Sequence, residues 1–422
     1  MAIYVISATG RNDWPGTVAQ PKAITWLPNL VAGDEAHLRG DTYVAKVQLS
    51  GLNGTSGNEI IIKGYNGEIP VISGGWDKTT HPLDKAATIN VYQYRALFEL
   101  NDSNWVNVSD IKVINSNGQA FGVSRTKNCI FDNLAAEDIY GMTFSCVGNG
   151  PGNIDNQYIT LQNSHFYNVC VAHNWWHTYV GPNNTYVRTV PSSVFFGRGT
   201  ENCTIRNCTL ERAGAEGFVA ARGSRYITFE NCVAVDIRHT CYYVATTQYS
   251  TLSGCVGYFT SSGTTAIPNT RGQGIVLRDE EESQDQGYQD YLSRNNTVEN
   301  CLIVNAYNGY TGYGQATMTN FTLRNFTAVN CINGILNRGV NNSRVVPSGN
   351  MFENNIFTNH IPYADGIFGH KTPSGNTVAT TTGATYQYNL WYDVEGSAQP
   401  VVGTGDVTAD PLLENANFDL DG

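Results

Sequence analysis

Thr204-Ile-Arg-Asn-Cys208 returns as Ile227-Thr-Phe-Glu-Asn-Cys232 and again as Leu252-Ser-Gly-Cys255. The cysteines that end these phrases are 24 and 23 residues apart. After an insertion the phrase resumes as Val298-Glu-Asn-Cys301, and 25 residues later as Leu323-Arg-Asn-Phe326. A repeat of nearly constant length over several copies is typical of a solenoid, in which each unit stacks on the next.

The repeats consist of short strands. Each copy alternates apolar and polar residues over a few positions before Gly, Asn or Ser interrupts it, which excludes helical repeats. A second phrase closes each coil, and we expect its copies to form one parallel sheet. These closing phrases are Gly217–Ala221, Cys241–Ala245, Gly274–Arg278, Gly309–Tyr313, Gly334–Arg338 and Gly366–His370. The predicted fold is all-β: a single-stranded parallel β-helix of about ten or more coils.

In such a solenoid, equivalent side chains stack in ladders. One asparagine recurs beside the repeated phrase, and we expect a turn ladder whose amides bond to neighbouring coils. Its members are Asn133, Asn207, Asn231, Asn300 and Asn325. Cysteine recurs at one place in the repeat, so we expect mostly free, buried thiols rather than a disulfide framework.

The repeat predicts one β-helix domain over residues 1–422. We expect residues 1–45 to form an N-terminal cap and first coil, with a short helix within residues 21–33. Residues 46–370 form the central coils, with loop insertions at 171–191 and 258–295. Residues 371–422 form the C-terminal coils, and their abrupt end is consistent with a truncated chain.

The composition narrows the classes of protein. Aromatic residues make up 11% of the chain and charged residues only 14%, which indicates a folded protein. The net charge of −11 excludes nucleic acid as an expected partner, and no apolar run is long enough to predict membrane insertion. No secretory leader is recognisable at the N-terminus. We therefore expect either an extracellular protein that has lost its leader or a virion-associated protein.

The N-terminal sequence supports a family resemblance. Tyr4–Gly10, Arg39–Tyr43, Asn58–Tyr65 and Pro70–Gly74 together resemble the N-terminus of many right-handed β-helix polysaccharide lyases. With the coils, nearly the whole chain resembles the pectate-lyase-like superfamily. That superfamily contains polysaccharide lyases, glycoside hydrolases and viral tailspike depolymerases. The resemblance therefore implies a right-handed β-helix and a polysaccharide partner, but no particular reaction.

Arginines mark the expected binding groove. Enzymes of this superfamily usually bind glycan over the sheet that the closing phrases form. Arg198 and Arg222 each lie nine residues before the turn asparagine of their coil, which predicts one ladder. Arg278 and Arg338 end later strands of the same sheet. Their guanidinium groups are candidates for binding a uronate carboxylate, and Arg222 and Arg278 for promoting the reaction. The alternative is ion pairing, with Glu201, Glu216 or Asp279.

Elimination from a uronate also requires a base. The closing strands of the central coils contain no lysine, which departs from the lysine-based lyases of the superfamily. His239 and Tyr243 are the best remaining candidates, since Tyr243 is expected to point outward from its strand. Turn packing and sugar stacking are the alternatives for these two residues.

A hydrolase would instead need two carboxyl groups on either side of a glycosidic bond. Glu216 precedes one closing strand and Asp279 follows another, so the pair is a candidate. Glu211 is a further candidate, and we assign Asp236 to substrate binding. Salt bridges to Arg222 and Arg278 are the competing interpretation of Glu216 and Asp279.

The insertions offer further binding groups. Residues His173-Asn-Trp-Trp-His177 place His173, Trp175, Trp176 and His177 on a polar loop suited to stacking on sugar rings. Packing of the loop on the coils is the alternative, and we predict no zinc site there. The run Arg278–Gly287 is either a solvated acidic loop or a source of oxygen ligands for Ca²⁺.

The sequence therefore predicts a polysaccharide-degrading enzyme, with a lyase acting on an acidic glycan as the first hypothesis. A glycoside hydrolase is the second hypothesis. A tailspike or adhesin that binds a surface polysaccharide is the third, and a viral protein of this kind is expected to be a homotrimer.

Overall fold

The structure is a computed structural model. It describes residues 1–75, 96–150, 153–170, 192–214, 216–260, 272–279, 292–314, 318–331, 333–339, 349–358, 384–391, 404–405 and 407–408. The chain divides into two compact units, Met1–Cys232 and Val233–Gly422. Each unit is a stack of coils, and successive strands of a coil belong to three parallel sheets, here called A, B and C. The interpretation of residues 1–422 as one domain stays a prediction.

In the first unit the strands, numbered in chain order, belong to the three sheets as follows. Sheet A contains β1 (Ile3–Ile6), β2 (Glu35–Leu38), β5 (Ile60–Gly64), β8 (Val106–Ser109), β11 (Lys127–Asp132), β14 (Asn156–Gln162), β17 (Thr200–Arg206) and β20 (Arg225–Glu230). Sheet B contains β3 (Thr42–Val44), β6 (Val71–Ser73), β9 (Lys112–Ser116), β12 (Ala135–Ile139), β15 (His165–Val169) and β18 (Thr209–Ala213). Sheet C contains β4 (Val47–Ser50), β7 (Ala96–Asn101), β10 (Gln119–Ser124), β13 (Phe144–Val147), β16 (Ser192–Gly197) and β19 (Glu216–Ala221).

The second unit repeats the same three strand positions. Its sheet B strands are β21 (Val233–Val235), β24 (Val256–Tyr258), β27 (Leu302–Val304), β30 (Thr327–Val329), β33 (Ile356–Thr358), β35 (Leu390–Trp391) and β36 (Val407–Thr408). Its sheet C strands are β22 (Thr240–Ala245), β25 (Gln273–Arg278), β28 (Asn308–Gly314) and β31 (Asn333–Gly339). Its sheet A strands are β23 (Thr251–Ser253), β26 (Thr297–Glu299), β29 (Thr322–Arg324), β32 (Asn350–Glu353) and β34 (Ala384–Gln387).

The predicted right-handed parallel β-helix is confirmed. Strand alternation directs every second side chain inward, and the parallel register stacks the same position of successive coils. In sheet A, Ile205 of β17 pairs in register with Phe229 of β20, and both are fully buried. In sheet C, the rings of Phe144 and Phe196 stack with centroids 5.6 Å apart. The closing phrases from Gly217 to Arg338 lie in sheet C as predicted, and Gly366–His370 lies outside the described residues.

The predicted asparagine ladder occupies the turn from sheet A to sheet B. Its five members, Asn133, Asn207, Asn231, Asn300 and Asn325, all have left-handed backbone, with φ between 49° and 54°. Asparagine tolerates this conformation better than most residues because its short amide bonds locally. The amide of Asn207 donates to Oδ1 of Asn163 in the preceding coil, at 3.2 Å. The predicted bonding between coils is therefore confirmed there.

The cysteines behave as predicted. All ten are free and buried. Burial raises the pKa of the Cys129 and Cys170 thiols to about 12, so they stay protonated at neutral pH. Such thiols are poor nucleophiles and serve as small apolar side chains.

The predicted N-terminal helical cap is wrong. Residues 21–33 contain only a short 3₁₀ helix, Ile24–Asn29, which has Pro28 inside it and no side-chain cap at Ala23. Proline lacks the N–H that a longer helix would need, which explains why no α-helix forms. A loop protects the free edge of β1 instead: Val5 N–H donates to the Gly16 carbonyl, and Lys22 N–H donates to the Val5 carbonyl. Edge pairing of this kind blocks the end of a sheet.

Among the described residues, no helix is long and apolar enough to cross a membrane.

Candidate functional site on sheet C

The outward side chains of sheet C form an apolar, shielded face at the predicted groove. In the first unit Phe195 of β16 pairs with Val219 of β19, and these residues alternate with the inward Phe196. Phe195 and Val219 are nevertheless only 8% and 1% exposed. In the second unit Tyr243 pairs with Val276 on the face opposite the inward Tyr242, as predicted, and is 4% exposed. The outward parity of these positions therefore does not make them open to solvent.

Arg198 and Arg222 stack as the sequence spacing predicted. Each follows a sheet C strand and has left-handed backbone, with φ of 50° and 53°. The Arg198 N–H donates to the Arg222 carbonyl at 3.1 Å, which places the two residues in equivalent turns of consecutive coils. Both side chains are partly exposed, at the edge of the shielded face.

The two guanidinium groups lack the acidic partners that the alternative interpretation required. Within the described part of the chain neither Arg198 nor Arg222 takes part in an ion pair. The Nε atom of Arg198 is buried and has no hydrogen-bond partner. Like charges on neighbouring coils repel, and an unsatisfied buried donor is unfavourable. The two adjacent turns therefore carry guanidinium groups that are suited to an anionic group.

The acidic residues proposed as ion-pair partners are engaged elsewhere. Glu201 pairs with Arg225, one coil along sheet A. Glu216 accepts a hydrogen bond from the Ser192 hydroxyl at 3.0 Å, and Asp279 accepts one from the Ser293 N–H at 2.7 Å. Glu216 and Asp279 are both buried, in the first and second unit respectively. Their roles as a carboxylate pair stay a prediction.

A further arginine of this turn was missed by the sequence analysis. Arg125 also follows a sheet C strand with left-handed backbone, at φ 51°. It lies eight rather than nine residues before Asn133, so the spacing rule passed over it. Unlike Arg198 and Arg222, it donates through Nε and an Nη atom to both carboxylate oxygens of Asp102. These hydrogen bonds lower the pKa of Asp102.

Arg278 and Arg338 lie within sheet C strands rather than in the left-handed turn position of Arg198 and Arg222. Arg278 is the exposed last residue of β25 and pairs with Tyr313, which pairs in turn with Arg338. The two arginines are thus two coils apart in one column. Arg278 also pairs with Ala245, one residue before the left-handed turn residue Thr246. The four arginines therefore form two separate sets rather than one ladder.

The candidate bases His239 and Tyr243 lie directly before β22 and within it. The backbone carbonyl of His239 accepts a hydrogen bond from the Gln273 N–H at 2.7 Å, and its Nδ1 lies 3.1 Å from the Thr240 hydroxyl. Asp236 occupies the left-handed turn that precedes them, at φ 53°. Its two carboxylate oxygens accept hydrogen bonds from the N–H and hydroxyl of Thr260, at 2.8 and 2.7 Å. This is a turn-stabilising arrangement, and its role in binding stays a prediction.

Polar residues that the sequence analysis missed lie at outward or edge positions of sheet C. Glu99 is buried and accepts hydrogen bonds from the Gln48 amide and the Ala96 N–H. The sequence could have indicated Glu99, because it is the only charged residue of the strand Ala96–Asn101. In the next two coils, the Ser145 hydroxyl of β13 donates to the amide oxygen of Gln119 in β10 at 2.6 Å. These contacts place polar groups on the same side as the shielded face.

Several predicted groups lie outside the described residues. They are His173, Trp175, Trp176 and His177 of the first insertion and residues 280–287 of the acidic run. Among the residues that the structure does describe, no group of three or more His, Cys, Asp or Glu side chains is arranged to hold a metal ion. Binding of Ca²⁺ by the acidic run stays a prediction.

These features define a right-handed parallel β-helix with a stacked arginine pair at one edge of sheet C. No protein-family model matches the sequence, and no curated protein matches it significantly. Among the solved structures to which the chain is similar, three have a TM-score of 0.52. An alginate lyase from Paenibacillus sp. str. FPU-7 is 12% identical and aligns over 83% of this chain and 98% of its own. A structure described as a glycoside hydrolase is 9% identical over 84% and 96%, and XylC in complex with xylose is 10% identical over 96% and 85%. At these identities the likeness establishes the fold.

Proposed function

We propose that the protein is a polysaccharide-degrading enzyme, a lyase that cleaves an acidic glycan by β-elimination. The observation that carries the proposal is the stacked pair Arg198 and Arg222, whose guanidinium groups have no acidic partner in the described structure. A uronate carboxylate would supply the missing negative charge and could accept bidentate hydrogen bonds.

The chemistry of elimination suits such a pair. A base removes the proton on the carbon next to the carboxylate, a carbon–carbon double bond forms, and the bond to the leaving sugar oxygen breaks with that oxygen taking up a proton. Negative charge moves onto the carboxylate during proton removal. A guanidinium group held against that carboxylate stabilises the charge, so Arg198 and Arg222 are proposed to bind and neutralise it. His239 and Tyr243 remain the predicted candidates for the base.

The direct test incubates the full chain with alginate, polygalacturonate and hyaluronan and follows both reducing ends and ultraviolet absorbance. Elimination leaves an unsaturated uronate, which absorbs at about 235 nm, whereas hydrolysis releases reducing ends without it. We expect both signals together on at least one of these polymers. Reducing ends alone would replace the lyase with the hydrolase, and binding without cleavage would favour the adhesin.

A matched pair of variants tests the assignment of the arginines. We expect Arg222→Asn to reduce kcat/KM by about 10- to 100-fold, because one charge-assisted contact to the carboxylate is lost. Arg125→Asn is the control, since Arg125 occupies the equivalent turn but is paired with Asp102. Asparagine keeps the left-handed backbone in both variants. Equal activity of the two variants would exclude the proposed role.

A further inference from the structure

A column of aromatic and asparagine residues follows the start of sheet A in the first unit. Gln157, Glu201 and Arg225 are paired in register on consecutive strands, so the residues after them are equivalent. Asn104 and Lys127 extend the same row in the preceding coils. The column that comes next, here called the aromatic–asparagine column, consists of Trp105, Asn128, Tyr158, Asn202 and Tyr226.

The backbone of this column is unusual for its residue types. All five members have left-handed backbone, with φ between 53° and 55°. Asparagine adopts this conformation readily, whereas a bulky aromatic residue does so at a cost of about 1 kcal/mol or more. Aromatic residues at three of five such positions are therefore not explained by local stability. Strained positions of this kind often coincide with functional ones.

Two of the three aromatic side chains in the column also reach solvent. Tyr158 is 56% exposed and Tyr226 is 45% exposed, so much of each ring faces solvent. The adjacent charges of Glu201 and Arg225 are paired with each other. The outward threonines that follow in the strands, Thr160, Thr204 and Thr228, add hydroxyl groups without charge. The surface thus combines exposed rings, amides and hydroxyls, which differs from the unpaired positive charge at Arg198 and Arg222.

The spacing favours a linear polymer. Neighbouring coils are about 4.8 Å apart, so rings on every second coil repeat at about 10 Å, with an asparagine between them. An extended β-(1→4)-linked pyranose chain turns its apolar ring face to the same side at every second sugar. Aromatic rings stack on such faces, and amides bond to the hydroxyl groups between them.

We propose that the aromatic–asparagine column is a second glycan-binding surface, separate from sheet C, that binds a neutral, extended β-(1→4)-linked chain. This inference does not depend on the reaction proposed above, because the surface needs no carboxylate and no cleavage. It would hold the protein on a neutral polymer while sheet C acts on an acidic one.

The test is affinity electrophoresis of the full chain in gels with and without hydroxyethyl cellulose. We expect retardation of the unmodified protein. Tyr158→Asn and Tyr226→Asn should each weaken association about five-fold, since each removes one stacking ring. Asn202→Tyr should strengthen association by adding a ring between them. Asparagine is native at the alternate positions, so thermal unfolding of the Tyr→Asn variants should show a folded protein.

The chain offers a matched control in Tyr388→Asn. Tyr388 is 56% exposed and has left-handed backbone at φ 58°, but it lies in the turn from sheet A to sheet B. This variant should be retarded like the unmodified protein. Absence of retardation in the unmodified protein would overturn the proposal, as would equal retardation of Tyr158→Asn and Tyr388→Asn. Loss of retardation in Arg222→Asn would assign the binding to sheet C and overturn it too.

Discussion

Two outward faces of the first unit, on sheets C and A, differ although the same coils build both. On sheet C the outward Phe195 and Val219 are buried, and the arginines at the edge make no ion pair within the described residues. On sheet A the outward Thr160 and Thr204 are partly exposed, beside the exposed ring of Tyr158. Strand alternation makes a position outward, but what lies against a face decides whether it is a surface. The two faces therefore suit different ligands, an anionic group at the edge of sheet C and a neutral chain on sheet A.

The largest expected effect is a difference in protein stability between equivalent substitutions on the two faces. We expect Val219→Asp to lower the free energy of unfolding by about 3 kcal/mol or more, because a carboxylate would be buried without a partner. The equivalent change on sheet A, Thr204→Asp, should cost less than about 1 kcal/mol, since that side chain reaches solvent. Thermal unfolding of the two variants measures the difference. Equal shifts in Tm would show that the contrast between the faces is not real.

A smaller effect concerns the asparagine turn that leads from sheet A to sheet B. Asn207→Ala should cost about 1–2 kcal/mol, because alanine is unfavourable at φ 52° and the bond to Asn163 is lost. Asn207→Gly should recover part of that loss, since glycine adopts left-handed backbone freely. Denaturant unfolding of both variants checks the order. Alanine as stable as glycine would contradict the ladder's conformational role.

The arginine pair should show a still smaller effect on stability, of opposite sign. Arg222→Asn removes one of two neighbouring positive charges and places a residue suited to φ 53°. We expect the Tm to stay unchanged or to rise slightly, with the rise larger at low salt, where repulsion is less screened. The control Arg125→Asn should lower the Tm slightly, because it breaks the contact with Asp102. A Tm loss in Arg222→Asn alone would indicate a structural rather than a binding role.

The smallest expected effect is the pH-dependent contribution of Glu35 to stability, at the N-terminal end of sheet A. Hydrogen bonds from His37 and then Lys63 lower the pKa of Glu35 below 4.5. Because the folded pKa is the lower one, this contact stabilises the protein above the ordinary pKa and is lost as the pH falls through the folded value. The side chain is only 15% exposed but lies at the surface, so we expect less than about 1 kcal/mol.

Unfolding at a series of pH values around and below 4.5 tests this contact. The difference in Tm between the unmodified protein and Glu35→Gln should shrink as the pH falls. A constant difference would show that ionisation of Glu35 does not contribute.

The stacking of Arg198 on Arg222 could be predicted by counting, because a solenoid turns a constant spacing into a contact between coils. Arg125 escaped the same count because its coil is one residue shorter between the turns. Counting could not predict that Arg125 pairs with Asp102 whereas Arg198 has no acidic partner among the described residues. Ion pairs depend on side-chain directions and on which acid lies in the adjacent coil.

The repeated phrase by itself determined the β-helix fold, the asparagine turn and the buried thiols, because each follows from a local period that the coils repeat. The helical cap failed because a single proline outweighed the apolar pattern around it. Only the tertiary structure decided which outward residues are shielded, which arginines lack an acid and which aromatic rings reach solvent. Those properties depend on the neighbours that stacking brings against each residue. Strand alternation in the sequence predicts only whether a side chain points inward or outward.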